Sequence, residues 1–212
     1  MNNIPVFTTE HGVASLTLRE IPFSANAYIK LQATQEPEAL LEECVSFCVA
    51  CGAEAVFAAG HPILERFPFH TAIIEMQRTA EALPETDTCL FPVLPETASQ
   101  WRQIHNDRMK EVPNATFLTA HDEKLLVESG DGYFIHRKGM LLGIGRASRD
   151  TIDLVISVQP GAGVDVVSAL SSVLTSDVVR LTVATANKRA VRLYEKLGFL
   201  PTREISRWYQ IR

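Results

Sequence analysis

Three stretches of the chain carry groups that could do chemistry. In Val183–Phe199 (VATANKRAVRLYEKLGF), Asn187 stands at the entrance of a helical pattern and Tyr194 lies two turns further in. A phenol with an ordinary pKa of about 10 is protonated at neutral pH and can pass its proton to a leaving group once positioned. The same two residues could instead serve as a plain N-cap and a core aromatic. In Ile156–Asp165 (ISVQPGAGVD), Gly161 and Gly163 allow a backbone to approach a ligand closely. The helix that follows would turn N–H donors and the positive end of its dipole toward a phosphate. Asp165 in the first turn favours the helix and opposes a bound phosphate. The third stretch holds Cys44, Cys48 and Cys51, joined by the distant Cys89. Zinc would need a further ligand such as His61 or His70. The helical spacing of the three cysteines with Leu40, Leu41 and Phe47 favours core packing, and no metal site is expected.

The elements that must position these groups follow from periodicity. Ala190, Leu193, Tyr194 and Leu197 recur at spacings of three and four, so they share one helical face, and Gly198 sits where a left-handed cap ends the helix. Before them come a strand over 179–184 and a helix over 164–174. A meander of three strands is expected over 133–136, 140–147 and 153–158. A strand over 88–94 and an amphipathic helix from Pro95 to about Lys110 lead into it; residues 112–130 show no clear period. The N-terminal part reads as strands over 13–21 and 27–32, a helix over 38–51, a strand over 55–59, two helical turns at Pro62–Phe67 and a strand over 71–76. A last strand spans 205–211. The order is an α/β layered plan.

The whole string from Asn187 to Phe199 resembles the C-terminal motif of the GCN5-related N-acetyltransferase (GNAT) superfamily, Asn-x-x-Ala-x-x-Leu-Tyr-x-x-x-Gly-Phe, at every one of those positions. The resemblance covers roughly residues 88–212. It implies a mixed central sheet flanked by helices and acetyl-coenzyme A as cosubstrate. It also implies transfer of the acetyl group to a primary amine, on a small molecule or a peptide, by direct attack. Carried onto this chain, it makes Tyr194 the acid that protonates the leaving thiolate. It gives the cofactor to Ser157, Val158, Gly161, Ala162, Gly163, Val164, Asn187, Ala190 and Tyr194, with the acetyl carbonyl near Ser157-Val158. The phosphate loop departs from the family pattern: no arginine follows Pro160, and the loop is about one residue short. That departure keeps open a second reading, a non-catalytic GNAT-fold coenzyme A sensor or protein-interaction module. The general base is not legible; Glu128, Asp131, His136 and Asp153 are the carboxylates and histidine near the meander. Arg146 and Arg149 could meet an acidic substrate or the cofactor's phosphates.

An internal echo precedes this domain. An offset of 126 residues, which lays Tyr28 on Leu154, brings the long helices of the two halves into register and places His61 on Asn187. The expected organisation is a small α/β module resembling half of the same fold over 1–80, a linker over 81–87 and the acyltransferase domain over 88–212. A hydrophobic content of 46% with 21% charged residues suits a folded globular chain. A formal net charge of −5 argues against general nucleic-acid binding. No apolar run reaches the ~20 residues of a membrane span, and the start Met-Asn-Asn-Ile-Pro lacks a basic segment followed by a long apolar one, so no signal peptide and a cytoplasmic location are expected. Edge-rich sheets also make pairing into a homodimer an open expectation.

Overall fold

Two glycines in the middle of a strand explain how the helices come to lie where they do. Strand β8 (Met140–Ser148) carries Gly143 and Gly145, and helix α5 (Gly163–Ser171) packs directly over them. A Cβ on Gly143 would fall 2.7 Å from Val166 Cγ2, and one on Gly145 would fall 2.3 Å from Leu170 Cδ1. Any larger side chain would hold the helix off the sheet.

The computed structural model describes residues 5–79 and 86–212. In chain order its elements are β1 (Val6–Thr9), β2 (Gly12–Thr17), α1 (Ile21–Ser24), β3 (Asn26–Thr34), α2 (Pro37–Ala50), β4 (Ala55–Ala59), a 3-10 turn (Pro62–Arg66) and β5 (Phe69–Thr79). They continue with β6 (Cys89–Pro92), α3 (Ala98–Met109), α4 (Ala120–Ser129), β7 (Gly132–Arg137), β8, β9 (Thr151–Ser157), α5, β10 (Val178–Ala184), α6 (Lys188–Lys196) and β11 (Leu200–Gln210). The chain forms two compact units. The first runs through Ile73 and includes Glu204–Arg212; the second is Ile74–Arg203. The division therefore falls inside β5 and β11, whereas the sequence reading placed it in a linker. Residues 81–85 of that linker lie outside the described residues.

In the first unit, β1, β2 and β3 form an antiparallel meander. Strand β4 runs parallel to β3 from Asn26↔Ala55 to Lys30↔Ala59. The C-terminal end of β11 then pairs antiparallel with β4 at Tyr209↔Ala58. Helix α2 covers one face, where Leu40, Leu41, Cys44 and Cys48 meet Leu16, Ile29, Val56 and Tyr209. Both cysteines thus pack as small apolar groups, and burial pushes their thiols up to about 12 and about 11. Cys51 is the exposed C-cap of α2.

In the second unit, β6, β7, β8 and β9 pair antiparallel in sequence. Strand β10 joins β9 in parallel. Helices α3 and α4 cover one face through Trp101, Leu126, Phe134, Ile144 and Ile156. Helices α5 and α6 cover the other through Val166, Val167, Leu170, Tyr194 and Leu197. Helix α4 falls in the stretch without a clear period. It is held by a capping box in which the Thr119 side chain receives the backbone N–H of Asp122, while Asp122 receives the Thr119 N–H at 2.7 Å.

The offset of 126 holds at the level of structure for two element starts. Helices α2 and α5 begin at Pro37 and Gly163, and the 3-10 turn and α6 begin at Pro62 and Lys188. The two N-caps also correspond: His61 Nδ1 accepts from Ile63 N–H, and Asn187 Oδ1 accepts from Ala190 N–H. The strand missed by the sequence reading is β1, which is short and alternates only between half-buried and exposed residues. The first expected strand, 13–21, ends earlier in the structure: β2 stops at Thr17, and Ile21 opens the single turn α1.

Candidate functional site

Strands β9 and β10 pair only at Thr151↔Arg180 and Ile152↔Leu181. Beyond Ile152 the rest of β9 has no partner on that side among the described residues, so its edge is open there. Which donors face the opening follows from strand geometry. Val158 N–H donates to Leu142 O at 2.8 Å, on the β8 side. Successive N–H groups point to opposite edges of a strand, so those of Ser157 and Val155 face the open side. Of the pair named from sequence, Ser157 therefore presents a donor to the opening. Val158 does not, because its N–H is committed to β8. The carbonyl of Val158 is likewise engaged: Arg108, from the last turn of α3, donates to it at 3.1 Å.

The chain then turns through Gln159–Ala162 into α5. Gly161 takes a φ of +83°, where a side chain is strained, and nothing lies within 4 Å of where its Cβ would be. Its exposed backbone is bare on that side. Ala162 is the N-cap position, and its methyl group belongs to the core. Gly163 serves a different purpose. A Cβ there would lie 2.8 Å from Leu193 Cδ2 and 3.6 Å from Ser157 Oγ. The glycine lets the start of α5, the end of β9 and helix α6 converge. The N–H groups of the first turn of α5, from Gly163 on, have no intrahelical acceptor.

The charge that opposes an anion at this helix start is already paired. Arg137, at the end of β7, donates to Asp165, and its Nε lies 2.7 Å from Asp87 Oδ1. Arg137 is shared by two carboxylates, and Lys138 Nζ lies 3.8 Å from the second, so the acid in the first turn of α5 is compensated.

On α6, the Asn187 Oδ1 accepts the Ala190 N–H at 3.1 Å, so it caps the helix. Its side-chain NH₂ has no partner among the described residues, which leaves two donors at the helix entrance. Replacing Asn187 with alanine is expected to lower stability by about 1 kcal/mol through loss of the cap, measurable by denaturant unfolding. Tyr194 is buried with its ring against Phe199, at 5.9 Å between centroids. No described residue accepts or donates a hydrogen bond at its hydroxyl. Burial alone pushes its pKa up to about 12.

No protein-family model and no curated protein matches the sequence. Solved structures do match in shape. A functionally unknown conserved protein from Staphylococcus epidermidis superposes with a TM-score of 0.60 at 10% identity, over 99% of this chain and 94% of that one. A GCN5-related N-acetyltransferase from Kribbella flavida gives 0.60 at 8% identity, over 96% of this chain and 58% of that one. Another from Anabaena variabilis gives 0.61 at 12% identity, over 94% and 59%. The fold is that of the GCN5-related N-acetyltransferases.

The GNAT fold thus brings Ser157, Gly161, Gly163 and α6 together, the last through Leu193. It does not bring the remaining candidates to the same place. Glu128 is exposed on α4. His136 lies edge-on to Phe91 at 5.3 Å, with Nδ1 buried and unpartnered. Asp131 is held by Arg146 Nη2 at 2.7 Å and by Ser129 Oγ at 2.6 Å. Asp153 and Arg149 line a hollow at the start of β9, next to the last pair of β9 with β10. Two residues were not singled out in the sequence, Arg108 and Arg137. Their partners are 50 and 28 residues away, so no local spacing reveals them.

Proposed function

We propose that the chain is an N-acetyltransferase that moves an acetyl group from acetyl-coenzyme A to a primary amine. The observation that carries this reading is the early parting of β9 from β10. It exposes backbone donors of β9 beside the bare turn at Gly161 and the helix bearing Tyr194. When bound, acetyl-coenzyme A supplies an acetyl thioester, the activated group that an amine can take over as an amide.

The chain's own groups fit such a ligand. The backbone from Gly161 to Val164 would hold the pyrophosphate, assisted by the dipole of α5. Arg137 would offset Asp165, so that the backbone donors of the loop meet the pyrophosphate without an uncompensated acid beside them. The Asn187 amide and the backbone near Ala190 would line the same channel from α6. The N–H of Ser157 or Val155 would polarise a carbonyl oxygen placed at the open edge, as donors in an oxyanion hole do. Tyr194 holds a proton on Oη throughout the neutral range.

The first unit, in this reading, is a degenerate copy of half the fold. Its β3 and β4 stay paired from Asn26 to Lys30, so the equivalent opening is closed.

Calorimetric titration with acetyl-coenzyme A tests the proposal. Saturable binding is expected, and Arg137→Gln should weaken it about tenfold, since it leaves Asp165 unpaired beside the pyrophosphate. Absence of heat at millimolar cofactor would overturn the enzyme reading and leave a GNAT-fold interaction module.

A further inference from the structure

A hollow of about 460 Å³ lies in the second unit, between the end of α4, the start of β7 and the β8–β9 hairpin. That size is within the range of small-molecule sites. Its walls carry Asp131, Asp150, Asp153 and Arg149. Two of these charges are spoken for. Asp131 receives both Arg146 Nε at 3.1 Å and Nη2 at 2.7 Å. Asp150 is paired with Arg180 and accepts from Thr151 Oγ1 at 3.0 Å. The other two are left over, one of each sign. Neither the carboxylate of Asp153 nor the guanidinium of Arg149 has a side-chain hydrogen bond or ion pair among the described residues.

The hairpin that carries them is fixed by its backbone. Arg149 O accepts from Thr175 N–H at 3.3 Å, and Asp150 O accepts from Arg180 N–H at 2.8 Å. Asp153 also has a distinctive place in the sheet. It is the first residue of β9 beyond the last pair with β10, Ile152↔Leu181. The hollow therefore begins where the strands start to part.

We propose that this hollow binds the acceptor and that the acceptor is a small zwitterion, an α-amino acid or a close analogue carrying both an ammonium and a carboxylate. Asp153 receives the ammonium, and Arg149 takes the carboxylate with its planar pair of donors. Desolvation, followed by the charges of Asp131 and Asp150, raises the Asp153 pKa against the opposing pull of Arg146. A cation bound there would relieve that repulsion. The proposal rests on the acetyltransferase reading for its chemistry. The ammonium loses one proton to solvent, its nitrogen forms the new bond to the acetyl carbon, the carbon–sulfur bond breaks, the thiolate takes the Tyr194 proton, and the second proton shed by the nitrogen restores the phenol by way of solvent.

Binding alone tests the site. The full chain is titrated by ligand-observed NMR with the common α-amino acids, the primary amines that lack their carboxylate, and the N-acetylated acids that lack their charge. At least one amino acid should bind at least tenfold more tightly than both of its truncated forms. Arg149→Gln should abolish the preference over the amine, and Asp153→Asn the preference over the N-acetylated acid. Both side chains are exposed, so the variants should unfold at the wild-type temperature. The proposal is overturned if no amino acid binds, if an amine binds as tightly as its amino acid, or if Arg149→Gln leaves the preference intact. Acetyl-coenzyme A is titrated separately. Cofactor binding without any amino acid sinks this site alone, and the converse sinks the acetyltransferase reading alone.

Discussion

Replacing Tyr194 with phenylalanine should lower turnover by about 10²–10⁴-fold, the usual worth of a general acid, with little change in acetyl-coenzyme A affinity. The ring is packed in the core and its hydroxyl bonds to nothing in the described protein, so the substitution removes a proton and almost no structure. The size of the effect follows from the proton's hold. A tyrosine at about 12 is weaker as an acid than a thiol at about 8.5 by roughly 5 kcal/mol. Transfer to a fully formed thiolate is uphill, so it must accompany bond cleavage. The same shift sets a pH dependence of stability. The folded state holds this proton more tightly than the unfolded chain, whose tyrosine titrates near 10. Its stabilising contribution is complete below about pH 10 and disappears as pH rises through about 12. Wild type should therefore lose stability over that window more steeply than Tyr194→Phe, as read by urea unfolding at fixed pH. Unchanged turnover in the phenylalanine variant would remove Tyr194 from the acid role.

The two halves of the proposed site were not equally legible in the sequence. The α6 half is local. Asn187, Tyr194 and Gly198 sit within a dozen residues, so helix period and cap chemistry suffice to place them. The other half depends on where strands end against one another. Whether Val158 or Ser157 faces the opening is decided by one hydrogen bond to Leu142, and no periodicity distinguishes adjacent residues of a strand that is covered on both faces. The acidic Asp165 looked hostile to a phosphate because its partner, Arg137, is supplied by a different strand. Helix α4 was missed although Thr119 and Asp122 carry a capping signature. Of its apolar residues Leu125 is exposed and only Leu126 is fully buried, which leaves little pattern to read.

The second large effect is expected from Gly143→Ala. The added Cβ would stand 2.3 Å from the carbonyl oxygen of Ile156 and 2.7 Å from Val166 Cγ2. Val166 can turn; the Ile156 carbonyl is backbone, so β9 itself must move. Overpacking of this kind costs about 1–3 kcal/mol, seen as a lower midpoint in thermal or urea unfolding. The displaced residue immediately precedes Ser157, so acetyl transfer should fall by more than the loss of folded protein explains. Gly139→Ala is the control. Unlike Gly143 it has a positive φ, of 80°, and nothing lies within 4 Å of its Cβ position, so it should cost about 1–2 kcal/mol of backbone strain and leave transfer per folded molecule unchanged. A Gly143→Ala protein of wild-type stability would show that β9 is more pliable than its contacts imply.

The division of β11 between the units bears on how the protein is made. The first unit comes first in the chain, yet one strand of its sheet is the C-terminal stretch that pairs with β4 at Tyr209↔Ala58 and Gln210↔Phe57. During synthesis from the N-terminus, β1 to β4 emerge long before that partner does. Until then the apolar strand Ala55–Ala59 presents unpaired N–H and C=O groups on that side, the kind of edge that invites pairing with another nascent chain. The residues that finish the first unit are thus translated only after the whole second unit, and a ribosome that stalls between the two releases a chain with an adhesive edge.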